Sequence, residues 1–228
     1  VTPVLGIVAA LEMEGRWIRA SECLIEVSGG GEGRARAAAH RLLKRGATAL
    51  VSWGVAGGLD PDLEPGTVVL PDVVVDTEGL SHPVDAAWRD RLLTALLGRV
   101  VTSTSPLVHA MQPVTAPAEK IELHRLTRAA AVDMESAAVA AVAHEVGIPF
   151  LVVRVVVDAA GVRLPEVALT MCDEEGRLKK SAVLRLIYKP GEWHGMLRLG
   201  RANTAAGRSM REVWSAAGPD LALSEVRS

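Results

Sequence analysis

The chain has 228 residues, 49% of them apolar and 23% charged, and a net charge of −2 at neutral pH. That composition is expected of a folded domain with a sizeable core; it argues against a disordered chain and a general nucleic-acid binder. No apolar run approaches the roughly 20 residues that a helical membrane span needs. Aromatic residues make up 3%, with one Phe and one Tyr, so Val, Leu and Ala have to build the interior. Val1 to Ala10 lacks a basic stretch ahead of its apolar residues and reads as the start of the fold, not as a signal peptide. Cys23 and Cys172 are isolated, with no CxxC and no nearby His cluster, which suits two thiols in a reducing cytosol.

In chain order, Pro3 to Ala10 reads as a short buried strand. Glu12 and Glu14 follow at once, in a segment that reads as a helix or turn. Leu24 to Val27 is a second strand, ended by the glycine-rich Ser28 to Gly33. Arg34 to Lys44 reads as a helix with Ala and Leu on one face, closed by Gly46. Ala49 to Val55 is the next strand; Gly57-Gly58, Asp60-Pro61 and Pro65-Gly66 then punctuate the chain as turns. Thr67 to Val75 is β-rich but broken by Pro71, and Ala86 to Leu97 looks helical. Val100 to Thr102 and Leu107 to His109 are β-like, Ala118 to Leu126 helical, and Ala129 to Val132 a short strand. Glu135 to Val146 is a strong helix pattern ended by Gly147 and Pro149. Phe150 to Val157 is the clearest strand and stops at Asp158. From Leu178 onward the chain reads as basic helices broken at Pro190-Gly191.

Apolar strands alternating with helices predict one α/β domain spanning residues 1 to 228, with a mixed, mostly parallel sheet covered on both faces. Ligands in such folds bind at the carboxyl ends of strands. Glu14, Gly29 to Gly31, Gly54 to Gly58, Asp158 and the Asp133-Met134-Glu135 junction all fall at such places. Singly, each has an ordinary structural explanation. The glycines suit turns, Asp133 and Glu135 suit a helix start, Asp158 suits an Asx-turn, and Glu12 with Glu14 suits a solvated pair. The segment Arg177 to Arg211 carries nine basic residues and one acid, Glu192, in a chain of net charge −2. Its charges are interleaved with Leu184, Leu186, Ile187, Tyr188, Trp193, Met196, Leu197 and Leu199. That pattern suits a membrane-facing surface, or equally a helix packed on the sheet with its charges outward.

Taken together, GIVAALEMEG at Gly6 to Gly15, SWGVAGGLDPDLEPGTVV at Ser52 to Val69, and AVDMESAAVAAVAHEVGIPFLVVRVVVDAA at Ala131 to Ala160 resemble the nucleoside phosphorylase superfamily in order and spacing. The resemblance is closest to the methylthioadenosine/S-adenosylhomocysteine nucleosidase branch. The stretch Asp158 to Pro165 and the basic tail look like the hopanoid-associated phosphorylases, taken to remove adenine from adenosylhopane.

The resemblance implies cleavage of a purine from ribose. Asp158 would be the acid at N7 of the base, and Glu14 would orient or deprotonate a water. Glu135 would accept from the ribose hydroxyls, with Met134 packed under the sugar. Pro113 and Val114 would stand near the base. Gly29, Gly30, Val55, Ala56 and Gly57, with Arg16 beside Glu14, would form the sugar or phosphate loop. Val55 stands where relatives often carry a Ser, which weakens phosphorolysis; the acceptor, water or phosphate, stays open. No His/Cys/carboxylate set has ligand spacing, so no metal or cofactor is expected beyond phosphate as a co-substrate. The expected partner is an adenine nucleoside, lipid-linked or small, and no nucleic acid. A cytoplasmic homodimer, peripheral at the inner membrane face, completes the expectation. The alternatives are a nucleosidase for small substrates such as methylthioadenosine and a nucleoside binder without turnover.

Overall fold

The structure is a computed structural model that describes residues 3–18, 23–165, 168, 171, 173, 176, 177, 179 and 193–223. The first half supplies β1 (Leu5–Ala9), α1 (Glu12–Gly15), β2 (Leu24–Val27), α2 (Glu32–Lys44), β3 (Ala49–Gly58), β4 (Val68–Val69), β5 (Val73–Val75), β6 (Ser81–Pro83) and α3 (Ala86–Leu96). The second half supplies β7 (Thr102–Ser103), β8 (Leu107–His109), α4 (Pro117–Thr127), β9 (Ala131–Asp133), α5 (Ser136–Glu145), β10 (Phe150–Asp158) and α6 (Trp193–Ala217).

All ten strands join one sheet. β3 and β10, both apolar and buried along most of their length, pair in parallel at its centre, with β1 on the other edge of β3. The pairings β1–β2, β4–β7, β5–β8 and β8–β9 are also parallel. Those of β10–β4, β3–β9 and β5–β6 are antiparallel, so the sheet is the mixed, mostly parallel one the sequence implied.

One face of the sheet is covered by α2 and α5. Helix α5 buries Ala137, Ala138, Ala140 and Ala143, whose short side chains let it lie close to the strands. The other face is covered by α3 and α6. Asp85 caps α3 by accepting from the Trp88 N–H at 2.8 Å. Helix α6 buries Ala202, Ala206, Met210, Val213 and Trp214, a spacing that aligns them on one face, while Arg198, Arg201, Arg208 and Arg211 are exposed. The Trp214 ring meets Trp53 of β3 edge-on at 6.3 Å. This stretch of the basic tail therefore packs on the sheet with its charges outward. The expected basic helices before the Pro190-Gly191 break, with Leu184, Leu186, Ile187 and Tyr188, lie outside the described residues.

Two features correct the sequence reading and matter for the site. β3 does not stop at Val55 but runs on to Gly58, so Gly54 to Gly58 is strand, not loop. The expected break rested on glycines, yet here they keep the strand thin where other groups press on it: a Cβ on Gly54 would lie 2.5 Å from both Arg154 and Glu14. In addition, the register of β10 against β3 shifts between Val156 and Asp158, a bulge that brings Asp158 opposite Gly57.

Candidate active site

A cavity of about 270 Å³ opens where the ends of β9 and β10 meet the carboxyl-terminal end of β3. Asp158, Glu135, Met134 and Asp133 line it, as do Val55 to Gly57, Pro113 and Val114. The cavity thus gathers most of the residues that the resemblance singled out. Glu14, Gly29, Gly30 and Arg16 are not on its wall. Arg16 points outward, its side chain 72% exposed and paired with Glu12 at 3.1 Å, so it is on the surface and not at the cavity where a phosphate would have to meet it. Gly29 and Gly30 precede Gly31, whose N–H donates to Glu135 Oε1 at 2.8 Å; the glycine loop acts here on the carboxylate through its backbone.

Glu14 is 1% exposed and is no member of a solvated pair. The short helix α1 turns its side chain inward, where Oε2 accepts from the Leu11 N–H at 2.8 Å and Oε1 from the Val55 N–H at 2.9 Å. Leu11 and Val55 line the cavity, so Glu14 lies directly beneath its wall. Burial raises its pKa, with Arg154 opposing.

Arg154 organises the carboxylates. It points from the middle of β10 into the sheet and is 1% exposed. Its Nη2 lies 2.6 Å from Asp133 and 3.5 Å from Glu135 and donates to Ser52 Oγ at 2.9 Å. Its Nη1 donates to the Val55 carbonyl at 3.3 Å. A buried guanidinium needs this many acceptors, and three carboxylates, Asp133, Glu135 and Glu14, share its charge. Asp133 also accepts from the Ser136 hydroxyl and from the Ser136 N–H at 3.2 Å. It therefore does start α5, as a helix-capping Asp would, while the Glu135 side chain does not cap the helix. Glu135 reaches into the cavity instead, and its pKa is pushed up to about 7, by burial first and then by Asp133 and Glu14, against Arg154.

Asp158 lines the cavity from the end of β10, across β3 from the β9–α5 junction that carries Glu135, with its oxygens 3.5 and 3.7 Å from where a Cβ on Gly57 would be. Its partner is Lys120 of α4, a residue without a distinguishing sequence signal because lysines on helices are ordinarily solvated. Burial raises the Asp158 pKa and Lys120 opposes the rise. Among the described residues no group of three His, Cys, Asp or Glu could hold a metal ion. No basic side chain among them lines the cavity either.

A second cavity of about 270 Å³ adjoins the first and shares Leu11, Val55, Val157, Ala168 and Leu199 with it. It leads away past Met13, Met171 and Met196, and Asn203 is its most polar side chain.

This architecture is that of nucleosidases of known structure. The futalosine hydrolase of Helicobacter pylori superposes with a TM-score of 0.72 at 18% identity, over 94% of this chain and 97% of that one. The 5′-methylthioadenosine/S-adenosylhomocysteine nucleosidase of Neisseria meningitidis in complex with methylthio-immucillin-A superposes with a TM-score of 0.66 at 18% identity, over 93% and 99%. The chain itself belongs to the phosphorylase superfamily, whose family model matches residues 11–187. A 5′-methylthioadenosine/S-adenosylhomocysteine nucleosidase of Mycobacterium bovis is 30% identical over 155 residues, which is 51% of this chain and 61% of the relative. One of Marinomonas sp. is 33% identical over 141 residues, 51% and 59%. The matched stretch thus spans about three fifths of the curated relatives.

Proposed function

We propose that the protein hydrolyses the bond between adenine and ribose in a nucleoside with an apolar 5′ substituent. The observation that carries the reading is the placing of two acidic groups across one cavity, Glu135 backed by Glu14 on one side and Asp158 on the other. Breaking an N-glycosidic bond leaves positive charge on the sugar and negative charge on the purine. Glu135 accepts from the ribose hydroxyls and Asp158 gives a proton to N7. A water held at Glu14 forms the new bond to C1′ as the C1′–N9 bond breaks. Its proton passes to Glu14, and adenine and the free sugar leave. A binder that did not turn substrate over would have no use for this opposed acid and base.

Water fits better than phosphate. Three carboxylates face Arg154, whose donors are already engaged, and no described basic side chain lines the cavity to meet a dianion. The adjoining apolar channel supports an apolar 5′ group. Both a methylthio group and a lipid fit that chemistry. Relatives are named for methylthioadenosine and S-adenosylhomocysteine, which favours a small nucleoside. The resemblance of Asp158 to Pro165 and of the tail favours adenosylhopane, with α6 lying at a membrane surface. The homodimer and cytoplasmic location that the resemblance implies belong to the same proposal; a single-chain mass by light scattering would remove the dimer. Incubation with methylthioadenosine and with adenosylhopane, with and without phosphate, should release adenine at a rate that phosphate leaves unchanged. A ribose 1-phosphate product would overturn hydrolysis. The faster of the two substrates decides between a small nucleoside and a lipid.

A further inference from the structure

Lys120 is fully buried in the first turn of α4. Burying an ammonium is costly unless each of its three N–H donors finds an acceptor, and here all three do. It donates to the Asp158 carboxylate, to the Ala159 carbonyl at 3.3 Å and to the Val162 carbonyl at 3.2 Å. Those two carbonyls belong to the turn that follows β10, where the Val162 N–H also donates to the Ala159 carbonyl at 3.0 Å. One side chain therefore ties the carboxyl and the turn behind it to α4. Lys120 does not line the cavity, so it has no contact with a substrate there.

A buried ion pair of this kind gives little net stability over an apolar pair of similar size. Its place beside Asp158 points to the reaction. We propose that Lys120 is a positioning residue, whose ammonium pins the Asp158 carboxyl at the wall of the cavity against which the base lies and holds the turn from Ala159 to Val162 behind it. The inference rests on the reading of Asp158 as the acid.

Other charged groups surround Asp158 less closely. Asp133 and Glu135 share its cavity, and Arg163 and Arg198 border a smaller one beside it. Among the described residues only Lys120 forms an ion pair with it. Loss of the ammonium has two consequences. The carboxyl is no longer held, and a displacement of about 1 Å at a reacting group costs on the order of 100-fold in rate. Removing a neighbouring positive charge also disfavours the carboxylate, so Asp158 keeps its proton to higher pH.

Adenine release from methylthioadenosine by the wild type, Lys120→Met, Lys120→Gln and Asp158→Asn, followed across pH with thermal melts alongside, tests this. Folded Lys120 variants should lose kcat by about 100-fold with KM little changed. The alkaline fall of kcat/KM, which marks loss of the Asp158 proton, should move to higher pH. If Lys120→Met fails to fold, Lys120→Gln, which keeps a polar end for the carbonyls, carries the test. A kcat near wild type, or an alkaline limb that stays in place, would overturn the role of Lys120. Wild-type turnover by Asp158→Asn would instead overturn the reading of the acid itself.

Discussion

Glu135 holds one oxygen against the Gly31 N–H and the other toward Arg154, and its pKa of about 7 has a consequence for stability. The folded chain binds this proton more tightly than the unfolded one, where a glutamate titrates near 4.5. The sign is therefore destabilising with rising pH: stability from this group is lost as pH climbs from about 4.5 through about 7. Glu135→Gln stays neutral throughout. Its free energy of unfolding should gain on the wild type across that window, by an amount on the order of 3 kcal/mol when fully developed, read as a growing difference in melting temperature. A constant difference from pH 4 to pH 8 would contradict this. The same variant should blunt discrimination against a 2′-deoxy substrate, because a hydrogen bond to a charged group contributes about 1.5–3 kcal/mol. Glu14, Glu135 and Asp158 were all legible in the sequence, through motif order and spacing. Lys120 was not: one lysine in a helix with Glu119 and Glu122 beside it reads as solvated, and only the fold brings it to Asp158.

Helix α6 has two faces of different character. At 100° per residue its buried positions fall on one side, while Arg201, Arg208 and Arg211 fall on the other together with Leu197, which is 65% exposed; Arg198, also exposed, lies one turn before Ala202 at the border between the two faces. Met196 and Leu199, near its start, border the apolar channel. If this face meets an anionic membrane, each arginine adds about 1 kcal/mol of attraction near the surface. Sedimentation with anionic vesicles should then show binding that falls with added salt and that is lost when the four arginines become Gln. No binding at low salt would reject the membrane role and leave the chemistry of the cavity untouched. Most elements matched their sequence patterns to within a residue or two, since Leu24–Val27, Leu107–His109 and the helix at α3 carry plain apolar periodicity. Three were less legible. β6 at Ser81–Pro83 was not expected, because it has no apolar run of its own and forms by pairing with β5. Val100 to Thr102 became β7 at Thr102–Ser103, a two-residue strand set by pairing with β4, which local sequence does not encode. Gly54 to Gly58 stayed in β3 because packing against Glu14 and Arg154, not turn propensity, decides the backbone there.

At the scale of the whole molecule, the carboxyl ends of the central strands frame one cavity. The β3–β10 pair sets Asp158 over Gly57, Arg154 draws Glu135 and Glu14 together, and helices on both faces keep the sheet fixed behind them. The architecture was readable from the alternation of strands and helices, and the family from three motifs within the first 160 residues. The acceptor was not readable, because it depends on which charges reach the cavity: Arg16, adjacent in sequence to the Glu14 segment, points away to Glu12. The central claim is that this cavity breaks an adenine–ribose bond with Asp158 as its acid. Adenine release from methylthioadenosine by the wild type and by Asp158→Asn, at matched folded concentration, tests it most directly. The wild type should release adenine, and the variant should do so about 100- to 10,000-fold more slowly, the range typical of a general acid. Equal release by both, or no release by the folded wild type from methylthioadenosine or an adenosylated lipid, would contradict it.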